Sequence, residues 1–125
     1  IKLPPGYEYR DKGEHERDSA RIAWWKSSLA TYDQAALIPS GTTHANGTPY
    51  RGLPATTIDH PLPVDPYADH EPLFVGHYWM TDQPSVLRHN VACVDYSAGK
   101  TGPLVAYRWD HGSALSNDNF MWVSQ

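Results

Sequence analysis

The sequence predicts an α+β fold that combines one main helix near the amino terminus with mainly antiparallel strands in the carboxy-terminal half. Apolar residues recur at helical spacing between residues 15 and 32, whereas short apolar runs separated by turn residues follow residue 71. Between them, residues 33–70 are rich in Pro and Gly, which predicts a long loop. We therefore expect one domain or part of one, in which residues 1–70 form the helix and the loop and residues 71–125 form the strand-rich core.

Composition and charge exclude several classes of function. The chain has 125 residues and a formal net charge of −4 without a basic stripe, which argues against nucleic-acid binding. Its one cysteine, Cys93, excludes a disulfide framework and favours a cytoplasmic protein. No apolar run approaches the roughly 20 residues of a membrane span, and no signal-peptide pattern is present. Because the chain begins with Ile1 rather than Met, we expect it to be trimmed or part of a longer protein.

The helix is predicted from apolar residues three and four positions apart that would share one face, namely Ile22, Trp25, Leu29 and Tyr32. Arg17 and Arg21 lie one turn apart and would point the same way. They form either a solvated basic edge or a pair of cations that binds a phosphate, which the forked guanidinium suits well. Trp24 and Trp25 cannot both face one side, so one of them is expected in the core.

Four strands are predicted in the carboxy-terminal half, at residues 73–77, 91–95, 104–109 and 120–123. The short link between the second and third strands contains glycines, which predicts that these two strands form a hairpin. Short links between neighbouring strands also favour an antiparallel layer, with the helix on it or beside it.

His77 is the first candidate for chemistry because it follows the apolar run 73–75 and Gly76 directly. Glycine lets the backbone turn tightly, so the imidazole can be aimed into a site to bind a metal or transfer a proton. A histidine that only makes a hydrogen bond at a strand end is the alternative. The loop histidines lack the spacing of metal ligands and are predicted to lie on the surface: His44, His60 and His70.

A familiar succession of motifs occupies residues 72–110. Gly76-His77 ends a strand, Asn90 to Ser97 reads NVACVDYS, and Gly102 to Trp109 reads GPLVAYRW. This succession resembles the carboxy-terminal part of calcineurin-like metallophosphoesterases, especially bacterial members related to serine/threonine protein phosphatases and diadenosine tetraphosphatases. The resemblance implies a partial metallophosphoesterase sandwich and a phosphatase that hydrolyses a phosphate ester or anhydride.

The resemblance also implies roles for individual residues. His77 matches a metal-binding histidine of a two-metal site. Many members carry a second histidine two positions further on, where this sequence has Trp79. The protein-phosphatase-like branch also lacks that second histidine, so the resemblance is closest to this branch. Asp95 matches an aspartate at a strand end, and we expect it to cap the following turn. Arg17 and Arg21 are candidates for binding the substrate phosphate.

Other parts of the family pattern are missing from this sequence. The motifs D-x-H, G-D-x-x-D-R-G and G-N-H-[DE], which supply the remaining metal ligands, do not occur. The chain therefore resembles a carboxy-terminal portion whose partner is the missing amino-terminal half. The complete enzyme would hold two divalent ions (Mn, Fe, Zn or Mg) and act on a phosphorylated small molecule or a phosphoprotein. The isolated chain is expected to be inactive and to self-associate through uncovered edges and faces.

Two further interpretations stay open at this point. The chain could be a small noncatalytic binding domain that stacks a sugar or peptide on exposed aromatic residues around Tyr78-Trp79 and Trp24-Trp25. A self-contained hydrolase using His77 with Asp95 is less favoured, because no motif around a nucleophilic serine or cysteine accompanies the pair.

Overall fold

A computed structural model describes residues 1–64, 67 and 69–124. In these residues the protein is a sheet-rich α+β structure with small, mostly antiparallel sheets and one short α-helix, which confirms the predicted class at this coarse level. Backbone contacts divide the chain into two units, Ile1–Tyr67 and Ala68–Gln125. Three residues of the predicted long loop lie outside the described part of the chain, namely Asp65, Pro66 and Ala68.

The first unit contains two small antiparallel sheets. Strand β1 (Tyr9–Arg10) pairs with β2 (Glu16–Arg17), and β3 (Arg21–Ile22) pairs with β4 (Ala36–Leu37). Helix α1 (Tyr32–Ala35) leads directly into β4. The predicted loop thus begins with a helical turn and a short strand, and isolated bridges hold parts of the rest.

The predicted helix over residues 15–32 is wrong. Strands β2 and β3 lie within this range, and Ile22 pairs with Ala36 instead of stacking on a residue one turn away. The backbone N–H of Ala23 donates to the carbonyl of Ala35, a residue twelve positions away, instead of to a carbonyl one helical turn earlier. Trp25 is buried and Trp24 is half-buried, so one tryptophan does belong to the core as expected.

Tyr50 packs against the core of the first unit. Its hydroxyl donates a 2.7 Å hydrogen bond to the carbonyl of Tyr7, and its ring meets that of Tyr9 edge-on at 6.1 Å. Burial raises the pKa of Tyr50 to about 12. The buried residues of this core are Leu3, Tyr9 and Ala36.

The second unit is built around strand β7 (Val91–Cys93), which is buried along its whole length. Strand β5 (Leu73–Val75) pairs with it in parallel, and β6 (Val86–Arg88) pairs with it in antiparallel orientation on the other side. A run of buried apolar residues is what a strand flanked on both sides needs.

A separate hairpin completes the second unit. Strand β8 (Leu104–Tyr107) pairs antiparallel with β9 (Phe120–Val123), which follows a 3-10 helix at Asn117–Asn119. All four predicted strands are therefore present, and β6 was not predicted. The predicted hairpin between the second and third of them is wrong, because β5 and β6 occupy both edges of β7 and β8 pairs with β9 instead.

The core of the second unit joins β7 to the hairpin. Its buried residues are Ala92, Tyr96, Val105, Leu115 and Phe120. No helix in the described part of the chain is long and apolar enough to cross a membrane.

Candidate functional site

The carboxyl ends of the parallel strands β5 and β7 bring His77 and Asp95 together. One oxygen of the Asp95 carboxylate accepts a hydrogen bond from the backbone N–H of His77, over 2.7 Å. The other accepts from the backbone N–H of Ser97, over 3.0 Å. Asp95 therefore caps the turn that follows it, which confirms the expected structural role, and it also fixes the backbone that presents the imidazole.

The backbone around this edge is strained. Among the described residues, four non-glycine residues with positive φ belong to the loops that follow β5 and β7: His77 (65°), Trp79 (50°), Asp82 (65°) and Ser97 (65°). Each such residue costs roughly 1–2 kcal/mol, since the left-handed region crowds Cβ. Strain of this kind persists only where the surroundings hold it, and it clusters at functional sites.

The imidazole of His77 is exposed and has an aromatic neighbour. The ring of Trp79, which is also exposed, meets the His77 ring edge-on with 5.0 Å between centroids. The ammonium of Lys100 lies 5.8 Å from the centroid of the Trp79 ring, within the range of a cation–π interaction. The edge therefore combines an imidazole, an indole face and a cation.

A tight turn positions Lys100. The backbone N–H groups of Lys100 and Gly102 both donate to the carbonyl of Ser97. A side chain at Gly102 would place its Cβ 1.7 Å from the carbonyl oxygen of Tyr96, so the close approach of the two backbone segments requires glycine there.

The other potential metal ligands near His77 are otherwise engaged. The Asp95 carboxylate already accepts two backbone N–H bonds, and the Cys93 thiol is buried, which raises its pKa and disfavours the thiolate. In the part of the chain that the structure describes, no group of three or more His, Cys, Asp or Glu side chains could hold a metal ion. At this edge the described residues therefore offer one imidazole, not a complete coordination shell.

The two candidate arginines both lie in the first unit. Arg17 is on β2, where its guanidinium binds the carboxylate of Asp11 with Nε–Oδ2 and Nη2–Oδ2 distances of 2.9 Å. Arg21 is on β3, which belongs to a different sheet. The expectation that both point from one helix face is wrong because the helix is absent, while their role in substrate binding stays a prediction.

Sequence reasoning missed Lys100 as a neighbour of Trp79 and of the edge that carries His77. The turn signal Ala98-Gly99-Lys100 was visible, but the register of β5 against β7 decides which turn lies beside the imidazole.

Comparison with known proteins adds no relative. No family model matches the chain, and no curated protein or solved structure is detectably similar to it. A functional proposal therefore depends on the residues and geometry of the chain itself.

Proposed function

We propose that this chain is the carboxy-terminal part of a metal-dependent phosphoesterase in which His77 is one ligand of a two-metal site. The observation that supports this most directly is the presentation of His77: an exposed imidazole at the end of a parallel strand, on a left-handed backbone held by Asp95. Ligands commonly bind outside the carboxyl ends of parallel strands. The resemblance of residues 72–110 supplies the reaction class, hydrolysis of a phosphate ester or anhydride, and the partial metallophosphoesterase sandwich.

A single exposed imidazole fits one position in such a site. Imidazole suits Zn and Fe, while Mn and Mg take more oxygen ligands, so the proposal assigns the remaining ligands to the missing amino-terminal half. Two divalent ions, when bound, polarise the phosphoryl group and activate the attacking water. In the proposed site this chain orients the imidazole, because Asp95 holds the backbone of His77 through a hydrogen bond.

Lys100 is a further candidate for binding the substrate phosphate. Its ammonium lies against Trp79, which contacts His77, whereas the guanidinium of Arg17 already binds Asp11. In the complete gene product, Lys100→Ala should raise KM with little change in kcat. Arg17→Ala and Arg21→Ala test the two arginines in the same way, and an unchanged KM would remove the residue concerned from the substrate site.

The outer face of the β8–β9 hairpin exposes apolar residues, and the missing amino-terminal half is the partner that best accounts for them. Side chains alternate along a strand, and the register pairs Leu104 with Val123 and Ala106 with Met121. These four residues share the face opposite to buried Val105, and all four are exposed. We propose that the missing half covers this outer hairpin face and that the isolated chain self-associates through it.

A noncatalytic binding domain is the second candidate, and the exposure of Trp79 favours it. The pair Trp24-Trp25 supports a binding domain less, because Trp25 is buried. Phosphatase activity separates the two functions. The complete gene product should hydrolyse p-nitrophenyl phosphate with Mn²⁺, and His77→Ala should lower kcat at least about 100-fold, or about 2.7 kcal/mol. Equal activity of the variant would contradict the proposal, and residues 1–125 alone should show little or no activity. A cytoplasmic location remains part of the proposal.

A further inference from the structure

A cavity of about 590 Å³ lies in the second unit, at the opposite end of the β5–β7 pair from His77. It is lined by residues that precede β5, by the turn that precedes β7 and by the segment that follows β8, among them His70, Glu71, His89, Asn90, Trp109 and His111. Its volume is typical of sites for small molecules. This cavity could not be predicted from the sequence, because its three histidines are far apart along the chain.

The charge of the lining favours a cation. Among the described residues that line the cavity, Glu71 is the only one with a formal charge when histidine is counted as neutral. None of the others is Asp, Lys or Arg. An anion in the cavity would be repelled by this carboxylate and would find no Lys or Arg among the described lining residues. The indole N–H of Trp109 already donates to the carbonyl of Ser113, over 3.3 Å, so a ligand would meet the exposed part of its ring, which also contacts the rings of Phe74 and His111. Ring faces attract cations.

A buried hydrogen-bond acceptor adds a second requirement. Asn90 is 3% exposed, and its amide nitrogen donates to the carbonyl of Asp69 over 2.7 Å. Its side-chain oxygen has no hydrogen-bond partner among the described residues. This oxygen is buried, and leaving such an acceptor unpaired costs about 1–3 kcal/mol, so a ligand that inserts an N–H donor as far as this oxygen is favoured.

We propose that this cavity binds a guanidinium group, from an arginine side chain or a small guanidino compound. A guanidinium is planar, stacks on aromatic rings and presents forked N–H donors to a carboxylate. In this proposal the carboxylate of Glu71 accepts two N–H groups of the guanidinium, and the ring of Trp109 stacks on its planar face. The side-chain oxygen of Asn90 accepts a further N–H. This site is separate from the proposed phosphoesterase site and does not depend on it.

The test compares two probes that differ in charge. N-acetyl-arginine amide and the neutral, nearly isosteric N-acetyl-citrulline amide are titrated into the ¹⁵N-labelled chain, and amide shifts are followed by NMR. The arginine derivative should shift the amides of residues 70–71, 89–90 and 109–113 and bind at least about tenfold more tightly than the citrulline derivative, or about 1.4 kcal/mol. Absence of shifts, or equal binding of the two probes, would overturn the proposal.

Variants then locate the charge that matters. Glu71→Gln keeps the shape of the side chain, and it should weaken binding of the arginine probe at least about threefold. Asp82→Asn removes an exposed carboxylate of the same unit outside the cavity lining, and it should leave binding unchanged. The NMR spectra verify that both variants are folded. Equal effects of the two substitutions would mean nonspecific attraction to a negative surface and would also overturn the proposal.

Discussion

The carboxylate of Asp95 holds the backbone of His77 through a 2.7 Å hydrogen bond that joins the ends of two parallel strands. The same carboxylate accepts the N–H of Ser97, which begins the turn that positions Lys100. One side chain thus fixes both the loop that presents the imidazole and the turn that presents the cation. The strained backbone at this edge can be maintained because the Asp95 carboxylate binds the backbone N–H groups of both His77 and Ser97.

Removal of this carboxylate should destabilise the second unit. Asp95→Ala loses two hydrogen bonds to a charged acceptor, and we expect a loss of about 1.5–3 kcal/mol in the free energy of unfolding. Urea unfolding followed by NMR of second-unit amides measures it. The control Asp59→Ala removes an exposed carboxylate bonded to His60 and should change stability much less. Equal stability of the two variants would mean that Asp95 does not hold the loop.

The strain at His77 predicts that glycine is more stable than alanine at this position. His77 has a φ of 65°, which glycine adopts without crowding, whereas alanine keeps the Cβ that causes the strain. We expect His77→Gly to be more stable than His77→Ala by about 1 kcal/mol, measured by urea unfolding. If alanine is equally stable at this position, the left-handed conformation is not enforced.

Acid should weaken the first unit through Asp11. The backbone N–H of His15 and the guanidinium of Arg17 bind its carboxylate and lower its pKa from 3.8 to about 2. The folded state therefore binds this proton more weakly than the unfolded state, so the stabilisation is complete above pH 3.8 and is lost as pH falls towards 2. Asp11→Asn should lose less stability than the wild type between these pH values in urea unfolding. Parallel pH curves would contradict this linkage.

The outer hairpin face should control self-association. Met121→Lys places a charge in the centre of this exposed apolar face, so the isolated chain should shift towards monomer in sedimentation velocity. Gln83→Lys adds the same charge at an exposed loop position of the same unit and should not change the association. A wild-type chain that is monomeric at all accessible concentrations would contradict the proposed role of this face.

Local patterns in the sequence predicted four strands of the second unit, and the family resemblance drew attention to Asp95 as a residue that caps a turn. Continuous apolar runs such as 91–93 belong to buried strands, and an aspartate directly after such a run is well placed to cap a turn. The position of His77 after Gly76 could also be read directly. These features depend on neighbours in the chain, which is why they could be predicted.

Pairing between distant residues could not be predicted in the same way. Ile22, Trp25 and Leu29 have helical spacing, but the two-residue strands β2 and β3 are too short to show a period, and Ile22 pairs with Ala36. Strand β6 has only three residues, and without it β7 seemed to have an edge available for β8. The placement of Arg17 and Arg21 on one helix face and the predicted hairpin were both wrong for this reason.

Metal stoichiometry tests the central claim most directly. Isothermal titration of Mn²⁺ into the metal-free complete gene product, with metal content measured after dialysis, should give two equivalents for the wild type. The control His60→Ala removes an exposed histidine outside the proposed site and should also bind two. His77→Ala should lose one equivalent or bind it at least about 100-fold more weakly, or about 2.7 kcal/mol. Two equivalents bound by His77→Ala with unchanged affinity would contradict the assignment of His77 as a metal ligand.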